Sequence, residues 1–311
     1  MRIDFYSPGK RGSARINWVA VNLLVIVVLW LTGSRAQAGP EKPDPAAMLR
    51  SQYQSLDDRI KNNQFHKPLY LDSKETADNV AGDIHALLDH PYSTVAATLT
   101  KAENWCEILI LHPNTKYCRA APSEPVTVIT VYVGRKYDQP LEDASQVNFK
   151  YNPIEKTADY LQVQLHADAG PFATRDYRIM IEAVALDDKR TIIHLAYSYS
   201  YGLLGRMAMQ TYLGTVGRNK VGFTITSKQE NGQAIYVKGM RAVVERNTMR
   251  YYLALESFFG GLVVPAPARF EKRLNDWFAA AASYPEQLHE MERAEYLEMK
   301  YSEYRRQIGT E

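Results

Sequence analysis

Two stretches decide the fold: Tyr160-Leu161-Gln162-Val163-Gln164-Leu165-His166-Ala167 and Thr191-Ile192-Ile193-His194-Leu195-Ala196-Tyr197-Ser198-Tyr199-Ser200-Tyr201. In the first, Leu161, Val163, Leu165 and Ala167 fall on one face and polar residues on the other. In the second, Ile193, Leu195, Tyr197, Tyr199 and Tyr201 share a face opposite His194, Ser198 and Ser200. Between them Arg178 to Leu186 aligns Ile179, Ile181, Ala183 and Ala185, and Asp187-Asp188 supplies a turn. Strict alternation with one apolar face is the pattern of an antiparallel sheet that is covered on one side only.

Working outward, Val126 to Val133 is another β-rich run. Val221 to Thr226, the turn Glu230-Asn231-Gly232-Gln233 and Ala234 to Val244 read as a last hairpin. The cover for the sheet is the next segment, a helix over Asn247–Phe259 carrying Met249, Tyr252, Leu253, Leu255, Phe258 and Phe259. It is too apolar to stand in water. Asn247 or Thr248 is suited to cap its start and Gly260-Gly261 to end it. Upstream lie a Pro-rich linker beginning at Gly39-Pro40, a polar helix near 46–62 and a short strand Leu69–Ser73. Two short helices are then read at Ala81–Leu88 and Ser93–Leu99, with a further turn around Trp105 and Ile108.

This order (strand, two short helices, a meander of about six strands, one long apolar helix) resembles the START-like, or helix-grip, superfamily. The resemblance covers residues 69–262 and rests on topology, since the family has no short catalytic motif. It implies an α+β fold in which a curved antiparallel sheet grips the last helix around a cavity for an apolar molecule. On that reading the cavity wall is Leu161, Val163, Leu165, Ile179, Ile181, Leu195, Tyr197 and Tyr199, roofed by Tyr252, Leu255 and Phe259. The tyrosines admit two readings: packing on the helix, or hydroxyls offered to a ligand's polar end. The outward residues Gln162, Gln164, His166, His194, Ser198 and Ser200 are expected to be wet.

Gly202–Lys220 fits the family poorly. Leu203, Leu204, Met207 and Met209 stand there beside Arg206, Arg218 and Lys220. Flexible apolar residues flanked by cations suit a flap that touches anionic lipid. A connector packed on the domain edge fits as well. Beyond Pro265 and Pro267 a charged helical extension, 263–311, keeps a stripe of Leu288, Met291, Ala294, Leu297, Tyr301, Tyr304 and Ile308. It is expected to pack on the body; docking of a protein partner at 285–308 is the alternative.

The chain has 37 basic and 35 acidic residues, a formal charge of +2. Arg2, Lys10, Arg11, Arg15 and Arg35, against the single acid Asp4, lie within residues 1–38, so 39–311 carries −2. A mildly acidic body excludes a nucleic-acid partner, which needs a concentrated basic surface. The same 38 residues combine a basic start, an apolar run Ile16–Leu31 and Ala36-Gln37-Ala38. These are the parts of a signal peptide; an uncleaved anchor through residues 16–33 is the rival. Either way the body is expected to be exported, to a periplasm-like or secreted location. Domains therefore read as leader 1–38, linker and helix 39–68, ligand-binding domain 69–262 and extension 263–311. Export permits a disulfide between Cys106 and Cys118, the only cysteines; two buried free thiols are the alternative.

Catalytic signatures are missing. The seven histidines form neither H-x-x-x-H nor H-E-x-x-H, and no metal or other cofactor is expected. No G-x-S-x-G elbow or phosphate loop is present. Tyr296 and Lys300 spell Tyr-x-x-x-Lys without a dinucleotide fingerprint, a coincidence in a charged helix. Arg178 and Glu182 are expected to pair on the wet face and His194 to be solvated. The leading reading is an exported binder or carrier of a lipid or other apolar molecule. A cyclase- or aromatase-type enzyme on the same fold and an envelope partner protein are the alternatives.

Overall fold

The computed structural model describes residues 43–122, 126–215 and 217–309. The leader 1–38, with the export and anchor readings that rest on it, and the start of the linker lie outside the described residues. From Asp44 onward the chain is one compact unit. No helix among the described residues is long and apolar enough to cross a membrane.

Helices α1 (Pro45–Ser55) and α2 (Asp57–Lys61) lead into strands β1 (Leu69–Glu75) and β2 (Asn79–Leu88). Short helices α3 (Tyr92–Leu99) and α4 (Ala102–Leu109) come after them. Six meander strands are next: β3 (Thr115–Ala121), β4 (Val128–Val133), β5 (Ser145–Lys156), β6 (Tyr160–Ala169), β7 (Thr174–Ala185) and β8 (Thr191–Tyr201). The sheet is antiparallel throughout, in the order β1-β2-β8-β7-β6-β5-β4-β3. After α5 (Leu203–Gly214) a small separate hairpin, β9 (Ile225–Lys228) and β10 (Ala234–Tyr236), precedes the gripped helix α6 (Gly239–Gly260). The extension forms α7 (Arg269–Ala282), α8 (Pro285–Leu288) and α9 (Arg293–Ile308).

Three sequence readings need correction. Ala81–Leu88 is strand β2, not a helix, so the two short helices are α3 and α4. Its alternation is masked because both faces are covered: Ile84, Ala86 and Leu88 enter the main core, while Leu87 packs with α1 on a second core. The gripped helix starts at Gly239, well before Asn247 and Thr248, which are interior and cap nothing. Gly239 takes a positive φ of 73° at the turn. The last hairpin accordingly stops at Tyr236, and the β-branched pair Val243-Val244 that reads as strand is already helical. Gly82 lets α6 approach β2 closely: a Cβ there would lie 2.5 Å from the Thr248 hydroxyl oxygen.

The main core fills the space between the inner sheet face and α6 and continues into the extension through Phe270, Leu274, Trp277, Tyr296 and Met299. Phe270 stacks on Tyr304 at 3.6 Å and Trp277 on Tyr296 at 4.9 Å. The extension therefore packs on the body: of the expected stripe Leu288 is buried and Met291, Leu297, Tyr301 and Tyr304 pack against the core, Ala294 and Ile308 are exposed, and Tyr296, Met299, Lys300 and Glu303 are buried as well. Tyr296 and Lys300 are structural: the tyrosine donates to the Leu111 carbonyl and the ammonium to the His112 and Thr115 carbonyls. Cys106 of α4 and Cys118 of β3 are disulfide-bonded.

Candidate functional site

The eleven expected wall and roof residues are all buried and belong to one core. Leu161, Val163, Leu165, Ile179, Ile181 and Leu195 are close-packed there, as are Tyr252, Leu255 and Phe259. The space in the grip lies toward the other end of α6. Val243, Asn247 and Tyr251, one above the other at four-residue spacing, keep accessible surface. Ala242, Val244, Arg246, Thr248, Arg250 and Tyr252 on either side of that row are buried. Tyr251 of this row meets Tyr197 of β8, so the row faces the sheet and its accessible surface lies between helix and sheet.

Tyrosines make the opposite wall. Tyr251 meets Tyr197 at 5.2 Å and the His112 ring at 5.0 Å, and Tyr177 stacks on Tyr199 at 5.1 Å. Burial pushes the phenols of Tyr177, Tyr197, Tyr199 and Tyr251 up, that of Tyr177 to about 12. All four are therefore neutral hydrogen-bond donors at physiological pH. The Tyr177 hydroxyl bonds Thr174 at 2.7 Å. The hydroxyls of Tyr199 and Tyr251 meet no hydrogen-bond partner among the described residues. Burial, reinforced by the nearby cations Arg250, Lys300 and Lys136, keeps His112 neutral. Its Nδ1 accepts from the Asn114 N–H at 3.1 Å, which assigns the ring proton to Nε2. That Nε2 is buried and unpaired.

Beside His112 and Tyr251 a cationic cluster shares one acid. Glu290 pairs with Lys136 (2.6 Å), Arg250 (2.6 Å) and Lys220 (3.2 Å). Burial alone would raise the Glu290 carboxyl, but Arg250 and Lys136 hold it down at about 2. Burial, with Arg250 nearby, brings the Lys136 ammonium down to about 7. The crevice is thus lined by phenols, one neutral imidazole and a net positive charge.

An eight-stranded antiparallel sheet, with two short helices between its second and third strands, closes on one long helix. The chain has the START-like helix-grip fold. No protein-family model and no curated protein matches it. Among solved structures it is similar to norcoclaurine synthase from Thalictrum flavum (11% identity, 46% of this chain, 91% of that one, TM-score 0.32). A second is the aromatase/cyclase of a Streptomyces species (12%, 48% and 86%, 0.30). A third is a START superfamily protein from Mycobacterium smegmatis (10%, 46% and 93%, 0.30). The strand order and the gripped helix, rather than these distant likenesses, carry the fold assignment.

The outward sheet face differs from the expectation. Gln162, Gln164, His166, His194, Ser198 and Ser200 are half-buried rather than wet. Helix α1 packs over β7 and β8, where Ala46, Leu49 and Tyr53 meet Tyr160, Val184 and Ile192. His194 is not solvated: Nδ1 donates to Glu182 at 2.7 Å and Nε2 to Asp83 at 2.9 Å. Burial opposes its charge, but the two carboxylates outweigh it and lift the imidazole to about 9. His85 stacks on it at 4.3 Å, and burial and the neighbouring imidazolium push His85 down to about 4. Glu182 therefore pairs with His194 and Tyr160, while Arg178 pairs with Asp176.

In α5, Leu203 and Leu204 are over 70% exposed and Met207 over half, whereas Met209 is buried. Phe172, 66% exposed, stands on the adjoining turn, whose Ala173 carbonyl packs against Gly205. Arg206 donates to the Ala77 carbonyl and Arg218 is exposed. Lys220 does not join this patch, because its ammonium turns to the His289 carbonyl and Glu290.

Sequence reading put Tyr197 and Tyr199 on the inner sheet face, where they are buried, but did not single out Tyr177, His112, Val243, Asn247, Tyr251, Lys136 and Glu290. The four-residue spacing of Val243, Asn247 and Tyr251 was an available signal. Lys136 and Glu290 carry none, since each comes from a loop.

Proposed function

We propose that the chain binds an apolar or amphipathic small molecule, lipids included, in the crevice between the sheet and α6. The observation that supports this most is the buried His112 Nε2 beside Tyr251, which meets no hydrogen-bond partner among the described residues. Buried polar groups are nearly always hydrogen-bonded, so an exception in a crevice points to a ligand's polar atom. The body of such a ligand needs few specific contacts, because each buried methylene contributes about 0.8 kcal/mol. On this reading the leader exports the protein to an envelope or secreted location, and Phe172, Leu203, Leu204 and Met207 place the crevice end at a membrane surface.

Native mass spectrometry of the full chain, before and after solvent extraction, tests the reading. A bound mass that the extraction removes, and that Asn247→Leu with Tyr251→Phe diminishes, supports it. A protein that stays empty after incubation with total lipid extract, whatever its fold stability, overturns it. A stoichiometric protein partner instead of a small molecule would favour docking through α9. The cyclase-type alternative draws on one observation, the unpaired Nε2–H of the neutral His112 beside the Tyr251 phenol, two donors suited to polarising one ligand oxygen.

A further inference from the structure

A second concave site lies at the opposite end of α6, remote from the tyrosine crevice in sequence and lining. It is a pocket of about 380 Å³ between α4, α7 and the end of α9, within the size range of small-molecule sites. Its apolar wall is Phe258, Leu262 and Phe270, with Tyr304 stacked on Phe270. Its charged lining is Lys101, Arg269 and Arg273 against the single acid Glu107.

The lining is cationic on balance. Arg273 is buried, lies 3.9 Å over the Phe258 ring and bonds Glu107 at 3.0 Å through one Nη. Its Nε, also buried, lies against Gly261 and has no partner among the described residues. Arg269 spends its Nε on the Val264 carbonyl, and among the described residues no carboxylate pairs with its guanidinium. Helices α4 and α7 both begin at the pocket, with N-caps Lys101 and Ala268 that provide no side-chain cap. Their first-turn acids, Glu103 and Glu271, do not line it. The helix starts add a positive potential to the three cations. Burial also raises the Glu107 carboxyl in spite of Arg273, as a desolvated site would.

We propose that this pocket binds a small organic monoanion, a carboxylate with an apolar or aromatic body. Its charge sits on Arg269 and Arg273 and its body lies on Phe258 and Phe270. The flat guanidinium forks suit a carboxylate, and the lining's excess of two positive charges over Glu107 accommodates its single negative charge.

Phenylacetate and its uncharged analogue phenylacetamide, titrated calorimetrically into the full chain, make a matched test. Phenylacetate is expected to bind one per chain and phenylacetamide at least about ten-fold more weakly, the value of one lost charge-assisted contact. Arg269→Gln, at a half-exposed position whose one bond to the fold is to the Val264 carbonyl, should weaken phenylacetate about five-fold or more with little shift in the melting temperature. Glu107→Gln, which removes the one repelling charge, should tighten it. Tyr251→Phe in the crevice should change nothing, which separates the two sites. Equal affinity for acid and amide, indifference to Arg269→Gln, or no saturable binding of phenylacetate would each overturn the proposal.

Discussion

Glu303 on α9 lies between two lysines, and none of the three side chains is exposed at all. Lys116 of β3 approaches one carboxylate oxygen at 2.7 Å and Lys300 the other at 2.6 Å. The remaining ammonium protons are spent on the Tyr137 and Pro113 carbonyls and the Met299 sulfur for Lys116, and on the His112 and Thr115 carbonyls for Lys300. Glu303→Gln keeps the shape and removes the only negative charge of the triad. Breaking a buried pair in this way leaves an uncompensated charge and costs about 3–5 kcal/mol. The loss has a ceiling that depends on pH. A lysine that cannot stay charged gives up its proton instead, at a cost of about 1.4 kcal/mol for each pH unit below its ordinary pKa of about 10.4. That limits the loss per lysine to about 5 kcal/mol at pH 7 and about 2 kcal/mol at pH 9. Burial already lowers Lys300 to about 8, with Glu303 holding it up and Lys116 pushing it down. The unfolded chain therefore binds more protons than the folded one between that value and 10.5, and stability rises with pH across that window. The variant should show the same slope more steeply, so its deficit shrinks from pH 7 to pH 9. Urea unfolding at both pH values, followed by tryptophan fluorescence from Trp105 and Trp277, measures the deficit. A loss below about 1 kcal/mol at pH 7, or one that grows toward pH 9, would refute the argument from burial.

Three further outcomes are expected. Replacing Cys106 and Cys118 by serine opens a loop of sequence separation 12 and should cost about 3 kcal/mol on the chain-entropy model, read as a lower urea midpoint; an unchanged midpoint would deny the bond a role in stability. His194, held at about 9 against an ordinary 6.5, contributes stability that is fully present below 6.5 and lost as pH rises through 9, about 3 kcal/mol in all. His194→Gln should flatten that decline, and equal pH profiles of variant and parent would show that Asp83 and Glu182 do not hold the charge. Changing Leu203, Leu204 and Met207 to serine should weaken sedimentation with anionic liposomes at unchanged melting temperature, and Arg206→Glu with Arg218→Glu should do so chiefly at low salt; full binding by both would leave α5 only a connector.

The sequence alone determined the inner face of the sheet. Period-2 alternation in β6, β7 and β8 has a single solution once one face is apolar, because a slip of one residue would expose every core side chain. It also determined that an apolar helix must come next, since a sheet face of Leu161, Val163, Ile181 and Leu195 cannot remain in water. Strand β2 was not legible, because residues covered on both faces lose their alternation, and neither was the start of α6, where a β-branched pair runs against the helix. The polar chemistry was decided only by tertiary structure. His194 looks like a solvated residue on a polar face until the cross-strand register sets Glu182 beside it and Asp83 within bonding distance. Lys136, Lys220 and Glu290 are far apart in the chain and converge only because loops meet at one end of α6. The anion pocket likewise needs three helices to come together. Hydrophobic burial obeys a short repeat that can be read locally. Charge pairing depends on distance in space, and the chain's order says little about that until the fold is closed.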